Sequence, residues 1–260
     1  MRTPFVRVLG SADWLQETGD DHACYTVNDR LLVDACPSVV QALLTRGIDP
    51  TDIRTVCFTH LHADHYMGLA PLLFYWRVRL KTYAGFTIIG PKATIRAAVD
   101  RALYYIYHDS ESIWDEVDAL PEIIEIEDEG RVEADGLIVE TVASRHAVPG
   151  LCYRFTDVES DHAVCFSGDT WYRPEFAAFY READLLIHEC ACGAGVMTEE
   201  NNPGRHSSGH DVVRVCRESG ARRLLLTHAG MNNRLPAMVI CKTELDIPVD
   251  WAIPGRVYEY

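Results

Sequence analysis

Three histidines and a carboxylate stand within six residues of this chain, in the run His60-Leu61-His62-Ala63-Asp64-His65. An apolar stretch at 54–58 precedes the run and predicts a buried strand. His60 and His62 are two positions apart, so extended backbone turns them the same way, whereas Asp64 and His65 can turn towards a second point. Neutral imidazole and carboxylate are ligands that zinc, iron and manganese accept. The spacing therefore predicts two metal ions side by side.

Four later strands are also predicted to end in a residue that can do chemistry. These residues are His146, Asp169, His188 and His228, after strands predicted near 137–142, 163–167, 185–187 and 223–227. Sheets of α/β proteins present a site at one edge in this way. The recurrence predicts that the side chains gather at a single site, with Glu189 directly after His188.

Asp34 ends the second strand of a hairpin predicted around the turn Asn28-Asp29. A carboxylate near clustered histidines can orient an imidazole. It can equally cap the helix predicted over 38–46. The sequence leaves both interpretations of Asp34 open.

Composition limits the class of protein. The 260 residues, 48% hydrophobic and 24% charged, predict one α/β domain over 1–260. A net charge of -15 disfavours a surface that binds nucleic acid broadly. Nine cysteines, an odd number, indicate a reducing compartment rather than a disulfide framework. Without an apolar run of membrane-spanning length or a visible signal peptide, we expect a cytoplasmic protein that does not enter a membrane.

The chain shows no linker, low-complexity tract or clear repeat. Its pattern changes near residue 130, which predicts two halves, about 1–135 and 136–260, with the site in the seam between them. Residues 103–114 are rich in aromatic side chains and include Tyr104, Tyr105, Tyr107, His108 and Trp114. This segment either lines a substrate pocket or is a helix that packs on the body of the protein.

The run at 60–65, followed by His146, Asp169 and His228 in that order, resembles the metallo-β-lactamase fold superfamily over essentially the whole chain. The resemblance implies a four-layer αβ/βα sandwich with two central mixed β-sheets flanked by helices. It also implies a homodimer and two metal sites that share Asp169. Their other ligands would be His60, His62 and His146 at one site, and Asp64, His65 and His228 at the other.

Within that superfamily the chain is most similar to the ribonuclease Z group of phosphodiesterases. Segments 167–170 (SGDT), 187–191 (IHECA) and 206–208 (HSS) resemble this group's bridging-aspartate segment and its "HEAT" and "HST" loops. Cys190 and Ser208 depart from those patterns but leave His188, Glu189 and His206 in place. Many tRNA-processing members carry a long arm between the third ligand histidine and the bridging aspartate. Here these residues are only 23 positions apart (169 - 146), so we expect a small phosphodiester rather than RNA.

The predicted chemistry is hydrolysis by a water that two metal ions, about 3.5–4 Å apart, share and activate. Zinc is favoured, and manganese or iron also fit these ligands. We predict that His206 protonates the leaving group, with Glu189 or His188 orienting it, and that Asp64 can assist as a base.

Three alternatives to a small-molecule phosphodiesterase stay open. They are a tRNA 3′-end processing endoribonuclease, a hydrolase of esters, lactones or thioesters, and a binding protein that has kept the fold without catalysis. Arg145, Arg173 and Arg205 flank the proposed site residues and could contact a phosphate. Arginine is also common on protein surfaces.

Overall fold

The structure, a computed structural model, describes residues 3–107 and 117–260, with the backbone alone at Tyr107. In these residues the strands form two seven-stranded sheets. The first sheet contains β1 (Phe5–Gly10), β2 (Cys24–Val27), β3 (Leu31–Val33), β4 (Thr55–Cys57), β5 (Thr87–Pro91), β6 (Glu122–Ile126) and β14 (Val257–Glu259). The second contains β7 (Arg131–Ala134), β8 (Leu137–Ala143), β9 (Leu151–Asp157), β10 (Ala163–Phe166), β11 (Leu185–Glu189), β12 (Leu224–Thr227) and β13 (Val249–Trp251).

The helices described are α1 (Val39–Thr45), α2 (Ala63–Tyr66), α3 (Leu69–Leu80), α4 (Ile95–Tyr107), α5 (Phe176–Phe179), α6 (Gly209–Ser219) and α7 (Met231–Glu244). Among them none is both long enough and apolar enough to cross a membrane.

The first sheet runs in the order β14-β1-β2-β3-β4-β5-β6. Its strands are antiparallel from β14 to β3 and parallel from β3 to β6. The predicted hairpin is confirmed: residues 28–30 join β2 to β3, and Asn28 and Asp29 have φ values of 55° and 54°. Left-handed values in a hairpin turn match the twist of its strands. The hairpin delivers Asp34 to the end of β3.

The second sheet runs in the order β13-β12-β11-β10-β9-β8-β7. Strands β10 to β13 are parallel, and β7 to β10 are antiparallel. The two sheets do not divide the chain at residue 135, because β7 already belongs to the second sheet. Strand β14 returns to the first sheet, where Glu259 pairs with Phe5.

Apolar side chains fill three layers. Between the sheets, buried residues from both sheets, such as Val33 and Ile187, form one core. Outside the first sheet, α1, α3 and α4 cover a core that includes Trp76. Outside the second, α5, α6 and α7 cover a core that includes Phe176 and Val212. This helix–sheet–sheet–helix arrangement confirms the predicted fold class.

Some elements differ from the predicted ones. Strand β9 and helix α7 have no predicted counterpart. Helix α7 contains Pro236, which lacks the N–H that a helix interior uses, so local signals argue against a helix there.

The aromatic segment at 103–114 is described only in part. On α4, Leu103 and Ile106 pack against the helical layer, whereas Tyr104 and Tyr105 are exposed. His108 and Trp114 lie outside the described residues, so the pocket interpretation stays a prediction. All nine cysteines are free thiols, and eight of them are buried.

Candidate metal centre

The predicted ligands sit on the segments that follow β4, β8, β10 and β12. Strand β4 is parallel to its neighbours in the first sheet, and β10 and β12 are parallel to β11 in the second. Parallel strands end at the same edge of their sheet, where side chains can gather. The structure brings all seven candidate ligands together there, across the seam between the sheets.

The first cluster consists of His60, His62, His146 and Asp169. His62 Nδ1 lies 3.1 Å from His60 Nε2 and 3.1 Å from His146 Nε2. Asp169 Oδ2 lies 3.7 Å from His60 Nε2 and 4.0 Å from His146 Nε2. All but His62 are buried, so the cluster reaches solvent through the His62 side.

The second cluster consists of Asp64, His65 and His228. The Nε2 atoms of His65 and His228 are 3.4 Å apart, and Asp64 Oδ2 lies 3.4 Å from each. Asp169 stands between the two clusters: its Oδ1 is 3.5 Å from His65 Nε2, and its Oδ2 is 3.5 Å from His228 Nε2. One carboxylate therefore faces imidazoles of both clusters.

These spacings fit divalent metal ions. A tetrahedral ion with ligands about 2.0–2.1 Å away holds its ligand atoms about 3.3–3.4 Å apart. His62 Nδ1 is 3.1 Å from a ring nitrogen of each of its two neighbours, and the ring nitrogens of His65 and His228 are 3.4 Å apart. The buried Asp169 Oδ1 accepts no hydrogen bond from the described residues, as expected of an oxygen that faces a cation. The donors are nitrogen and oxygen without thiolate, which suits zinc, manganese or iron.

Burial lowers the pKa values of His60, His62 and His146, so these rings favour the neutral form that ligates metals. Burial also opposes ionisation of Asp169 and Asp64. Neighbouring imidazoles outweigh that effect and hold the pKa of both carboxyls well below the usual range.

His65 and His228 behave differently from the first cluster. Burial lowers the pKa of each ring, but Asp169 and a second carboxylate raise it by more. The second carboxylate is Asp34 for His65 and Asp64 for His228. The carboxylates around His65 and His228 thus favour a positive charge at these two rings. A bound metal ion would supply that charge in place of the ring proton.

Asp34 is connected to both clusters on the side of the imidazole rings that faces away from the centre. His65 Nδ1 donates to Asp34 Oδ2 at 2.8 Å, which leaves Nε2 to face the centre. The backbone N–H and the hydroxyl of Thr59 also donate to Asp34, at 2.7 and 2.8 Å, and His60 Nδ1 lies 3.1 Å from the Thr59 hydroxyl. Helix α1 has Ser38 at its N-cap position, so the orienting interpretation of Asp34 is confirmed and the capping interpretation is wrong.

Two backbone features bring the clusters together. Asp34 and His228 adopt left-handed φ values of 57° and 51°, which side chains rarely accept and which collect at functional sites. Gly168 has φ 55°, and a Cβ there would stand 2.7 Å from Cβ of Thr59. Glycine at 168 therefore lets Asp169 approach the His60 segment closely.

Glu189 organises the segment around His206. Its carboxylate is buried and accepts hydrogen bonds from the backbone N–H groups of Thr170, Ala191 and Ser207 at 2.9–3.1 Å. His206 Nδ1 lies 3.0 Å from Glu189 Oε1. The carboxylate thus fixes the orientation of the His206 ring.

His188 does not join the cluster. Residues alternate between the faces of a strand. On β11, Ile187 faces the inter-sheet core, whereas Leu186 faces the outer helical layer. His188 points the same way as Leu186: its Nδ1 lies 2.8 Å from the carbonyl oxygen of Glu189, and its ring is 6.4 Å from that of Tyr180. Burial lowers its pKa. Of the two residues proposed to orient His206, only Glu189 contacts it.

His206 stands beside the clusters, with Nδ1 3.9 Å from Asp169 Oδ2. Burial lowers its pKa, but Glu189 and Asp169 outweigh burial and raise it to about 9. Asn202 holds the backbone of His206 at both its N–H and its carbonyl, at 2.9 and 2.8 Å. Sequence reasoning missed Asn202, because an asparagine in a polar loop carries no distinctive signal.

The three arginines near the site line one cavity. It has a volume of about 360 Å³, and its walls include Arg145, Arg173, Arg205 and the candidate ligand His146. Arg145 pairs with Glu199, and Arg173 pairs with Glu175. Glu175 also lines this cavity, which therefore carries charges of both signs directly beside the first cluster.

The chain is similar to proteins of the metallo-β-lactamase fold. It is 27% identical over 235 residues to the probable metallo-hydrolase YhfI of Bacillus subtilis, covering 88% of this chain and 87% of the relative. The crystal structure of YhfI matches with a TM-score of 0.81 and 24% identity over the full length of both chains. The ribonuclease Z of Myxococcus xanthus is 26% identical over 290 residues, with 89% of each chain covered. Fold, relatives and clusters together define a metal-dependent hydrolase of the metallo-β-lactamase fold.

The family within that class is also defined. Residues 15–233 match the family described as Anti-Pycsar protein Apyc1, and the chain belongs to this family. The solved structure of the human short-form tRNase Z matches with a TM-score of 0.75 and 18% identity over 98% of each chain.

Proposed function

We propose that this hydrolase is a dinuclear phosphodiesterase that acts on a small phosphodiester. The observation that carries the proposal is the His206–Glu189 pair beside the metal clusters, with 3.0 Å between Nδ1 and Oε1. Hydrolysis of an alkyl phosphodiester releases an alkoxide, which needs a proton as it leaves. A histidine held in orientation by a buried carboxylate next to the centre is suited to deliver that proton.

The residues that would hold the metals are those of the two clusters. His60, His62 and His146 would bind one ion and Asp64, His65 and His228 the other, with Asp169 shared. Two bound divalent ions supply a hydroxide nucleophile at neutral pH and neutralise charge on the phosphate oxygens. Asp64 is partly exposed, so it could also contact the attacking water as a base.

His206 can act as a donor because one of its ring nitrogens is already committed. Nδ1 is bound to Glu189, and Nε2 makes no hydrogen bond to any described residue. Nε2 would hold the proton that passes to the leaving oxygen. His206 also lies near Asp169 and His228 in a third group of potential ligands. Because Asp169 and His228 already belong to the two clusters, we assign His206 to proton donation rather than to metal binding.

The surroundings favour an anionic substrate of modest size. Arg145, Arg173 and Arg205 line the cavity next to His146 in a chain whose net charge is -15. The segment between His146 and Asp169 is used by β9, β10 and their short turns, which leaves no room there for an RNA-gripping arm. The affinity of a protein for a large RNA depends strongly on phosphate contacts over a wide surface.

Relatives named ribonuclease Z keep tRNA processing as a second candidate. A carboxylic ester, lactone or thioester is a third, because the same hydroxide could attack a carbonyl. The His206–Glu189 pair favours neither of these over a small phosphodiester.

The test is a turnover panel on purified protein with metals quantified in the same sample. The panel contains an aryl phosphodiester, a cyclic nucleotide, a lactone, a thioester, a β-lactam and a pre-tRNA. We expect phosphodiester cleavage with two metal ions per chain and no cleavage of pre-tRNA. A preference for any carboxylic substrate, or for pre-tRNA, would overturn the proposal.

A further inference from the structure

Arg145, next in sequence to the candidate ligand His146, is held by three different groups of the protein. Its guanidinium donates to the carbonyl of Tyr172 at 3.3 Å and pairs with the carboxylate of Glu199. The guanidinium carbon also lies 4.1 Å from the centroid of the Trp171 ring. The side chain is only 34% exposed. Although Arg145 lines the cavity beside the metal clusters, a phosphate would have to compete with these contacts for it.

The backbone of Arg145 is bonded to the segment that follows Asp169. Its N–H donates to the hydroxyl of Thr170 at 2.8 Å, and its carbonyl accepts from the N–H of Trp171 at 2.9 Å. Arg145 therefore joins the segment that carries His146 to the segment that carries the shared carboxylate.

Glu199 belongs to a cross-linked turn that leads directly to His206. The N–H of Asn202 donates to the carbonyl of Thr198 at 3.1 Å, which closes the turn. Asn202 then holds the N–H and the carbonyl of His206 through its side chain. Because the turn is closed in this way, the ion pair between Glu199 and Arg145 also bears on the position of His206.

We propose that Arg145 is a positioning residue, which keeps the proton donor His206 in place relative to Asp169, and is not a ligand of the substrate phosphate. This inference rests on the proposed phosphodiesterase function. An exposed ion pair contributes little by itself. Here, however, the planar guanidinium lies over Trp171 and has two of its nitrogens bound, so several contacts fix its orientation at once.

The kinetic test compares two diesters on the metal-loaded protein: 3′,5′-cyclic AMP, which has an alkoxide leaving group, and bis(p-nitrophenyl) phosphate, which has an aryl one. Arg145→Gln should lower kcat for the alkyl diester by roughly tenfold. This is only part of the 10²–10⁴-fold that a general acid contributes, because Glu189 still holds the His206 ring. KM for both diesters and kcat for the aryl diester should change little. Arg145→Lys keeps the charge without the planar fork and should recover part of the loss.

The partner in the ion pair provides a second comparison. Glu199→Gln should reproduce the loss seen in Arg145→Gln. The double variant should lose no more than either single variant, because the two side chains act through one contact. Glu200→Gln is the matched control: it removes an adjacent, exposed charge on the same turn and should leave the turnover of both diesters unchanged.

Hydrogen exchange on the metal-loaded protein measures the same coupling without turnover. The backbone N–H groups of His206 and Ser207 are both hydrogen-bonded, at 2.9 and 3.1 Å. Arg145→Gln and Glu199→Gln should speed the exchange of these two amides, whereas Glu200→Gln should not, because faster local opening follows from loss of the contact that holds the turn.

Four results would decide against the proposal or its premise. A higher KM with unchanged kcat in Arg145→Gln would make this residue a phosphate contact and overturn the inference. Equal losses of kcat on both diesters, or unchanged exchange of the two amides, would also overturn it. Absence of turnover on both diesters in the wild-type protein would refute the proposed function, while the exchange measurement would still decide whether Arg145 positions the turn.

Discussion

The substitution Asp34→Asn removes the charge of a carboxylate that orients His65 directly and His60 through the Thr59 hydroxyl. Asp34 is only 2% exposed and accepts hydrogen bonds from His65 Nδ1, from the Thr59 N–H and from the Thr59 hydroxyl. Asparagine has almost the same shape, so the fold should persist. Its amide, however, offers one oxygen where the aspartate offers two.

The expected losses of stability and of metal affinity follow from the geometry of the hydrogen bonds that Asp34 accepts. The Thr59 N–H needs the oxygen at the Oδ1 position, and His65 Nδ1 needs the one at Oδ2. Whichever way the introduced amide turns, its NH₂ group faces a buried donor, which leaves a hydrogen bond unmade at a cost of about 1–3 kcal/mol. Loss of such an orienting partner typically lowers metal affinity by about 10–100-fold. We therefore expect the second cluster, which contains His65, to lose metal first.

The assay is competition for zinc with a chromophoric chelator, together with thermal unfolding with and without metal. Thr59→Val is the matched control, since it removes the hydroxyl link to His60 but keeps the Asp34–His65 hydrogen bond. It should affect the first cluster more than the second. If Asp34→Asn folds and binds two zinc ions with wild-type affinity, the orienting role of Asp34 is refuted.

Three further substitutions test the proposed chemistry. His206→Ala should slow hydrolysis of alkyl phosphodiesters by roughly 10²–10⁴-fold, the usual contribution of a general acid, and largely spare aryl diesters, whose leaving group needs little protonation. Asp169→Ala should abolish turnover and weaken binding of both metals, measured by metal analysis after dialysis, because this carboxylate faces both clusters. Arg205→Gln should raise KM for a phosphodiester by roughly tenfold through loss of one charge-assisted contact, with kcat unchanged.

For each of these three predictions, a specific result would contradict the proposed role of the residue. Equal losses on aryl and alkyl diesters would remove the proton-donor role from His206. Two tightly bound metals in Asp169→Ala would contradict the shared position of this carboxylate. For Arg205, the matched control is Arg222→Gln, an exposed arginine that pairs with Asp184 away from this cavity. A similar KM change in both arginine variants would indicate a general charge effect instead.

The sequence predicted the ligand-bearing segments well. These segments follow the ends of strands, and a strand end can be recognised from a short stretch of sequence. Three-dimensional packing decided what the local pattern left open. Asp34 had two reasonable roles, and only the contact with His65 distinguishes them. Likewise, His188 and Glu189 look equivalent in sequence, but they point to opposite faces of β11, and only Glu189 reaches His206. Helix α7 was missed because Pro236 contradicts its local signal.

The two clusters behave as one unit because each sheet contributes a carboxylate that is linked to both, directly or through one hydroxyl. Asp169 comes from the second sheet and stands between the rings of His60 and His228. Asp34 comes from the first sheet and reaches His65 directly and His60 through the Thr59 hydroxyl. Neither cluster can therefore shift without disturbing a partner of the other. A rigid pair of sites on facing sheet edges holds its ligands in position before substrate arrives, which is how an enzyme stabilises developing charge without reorganising.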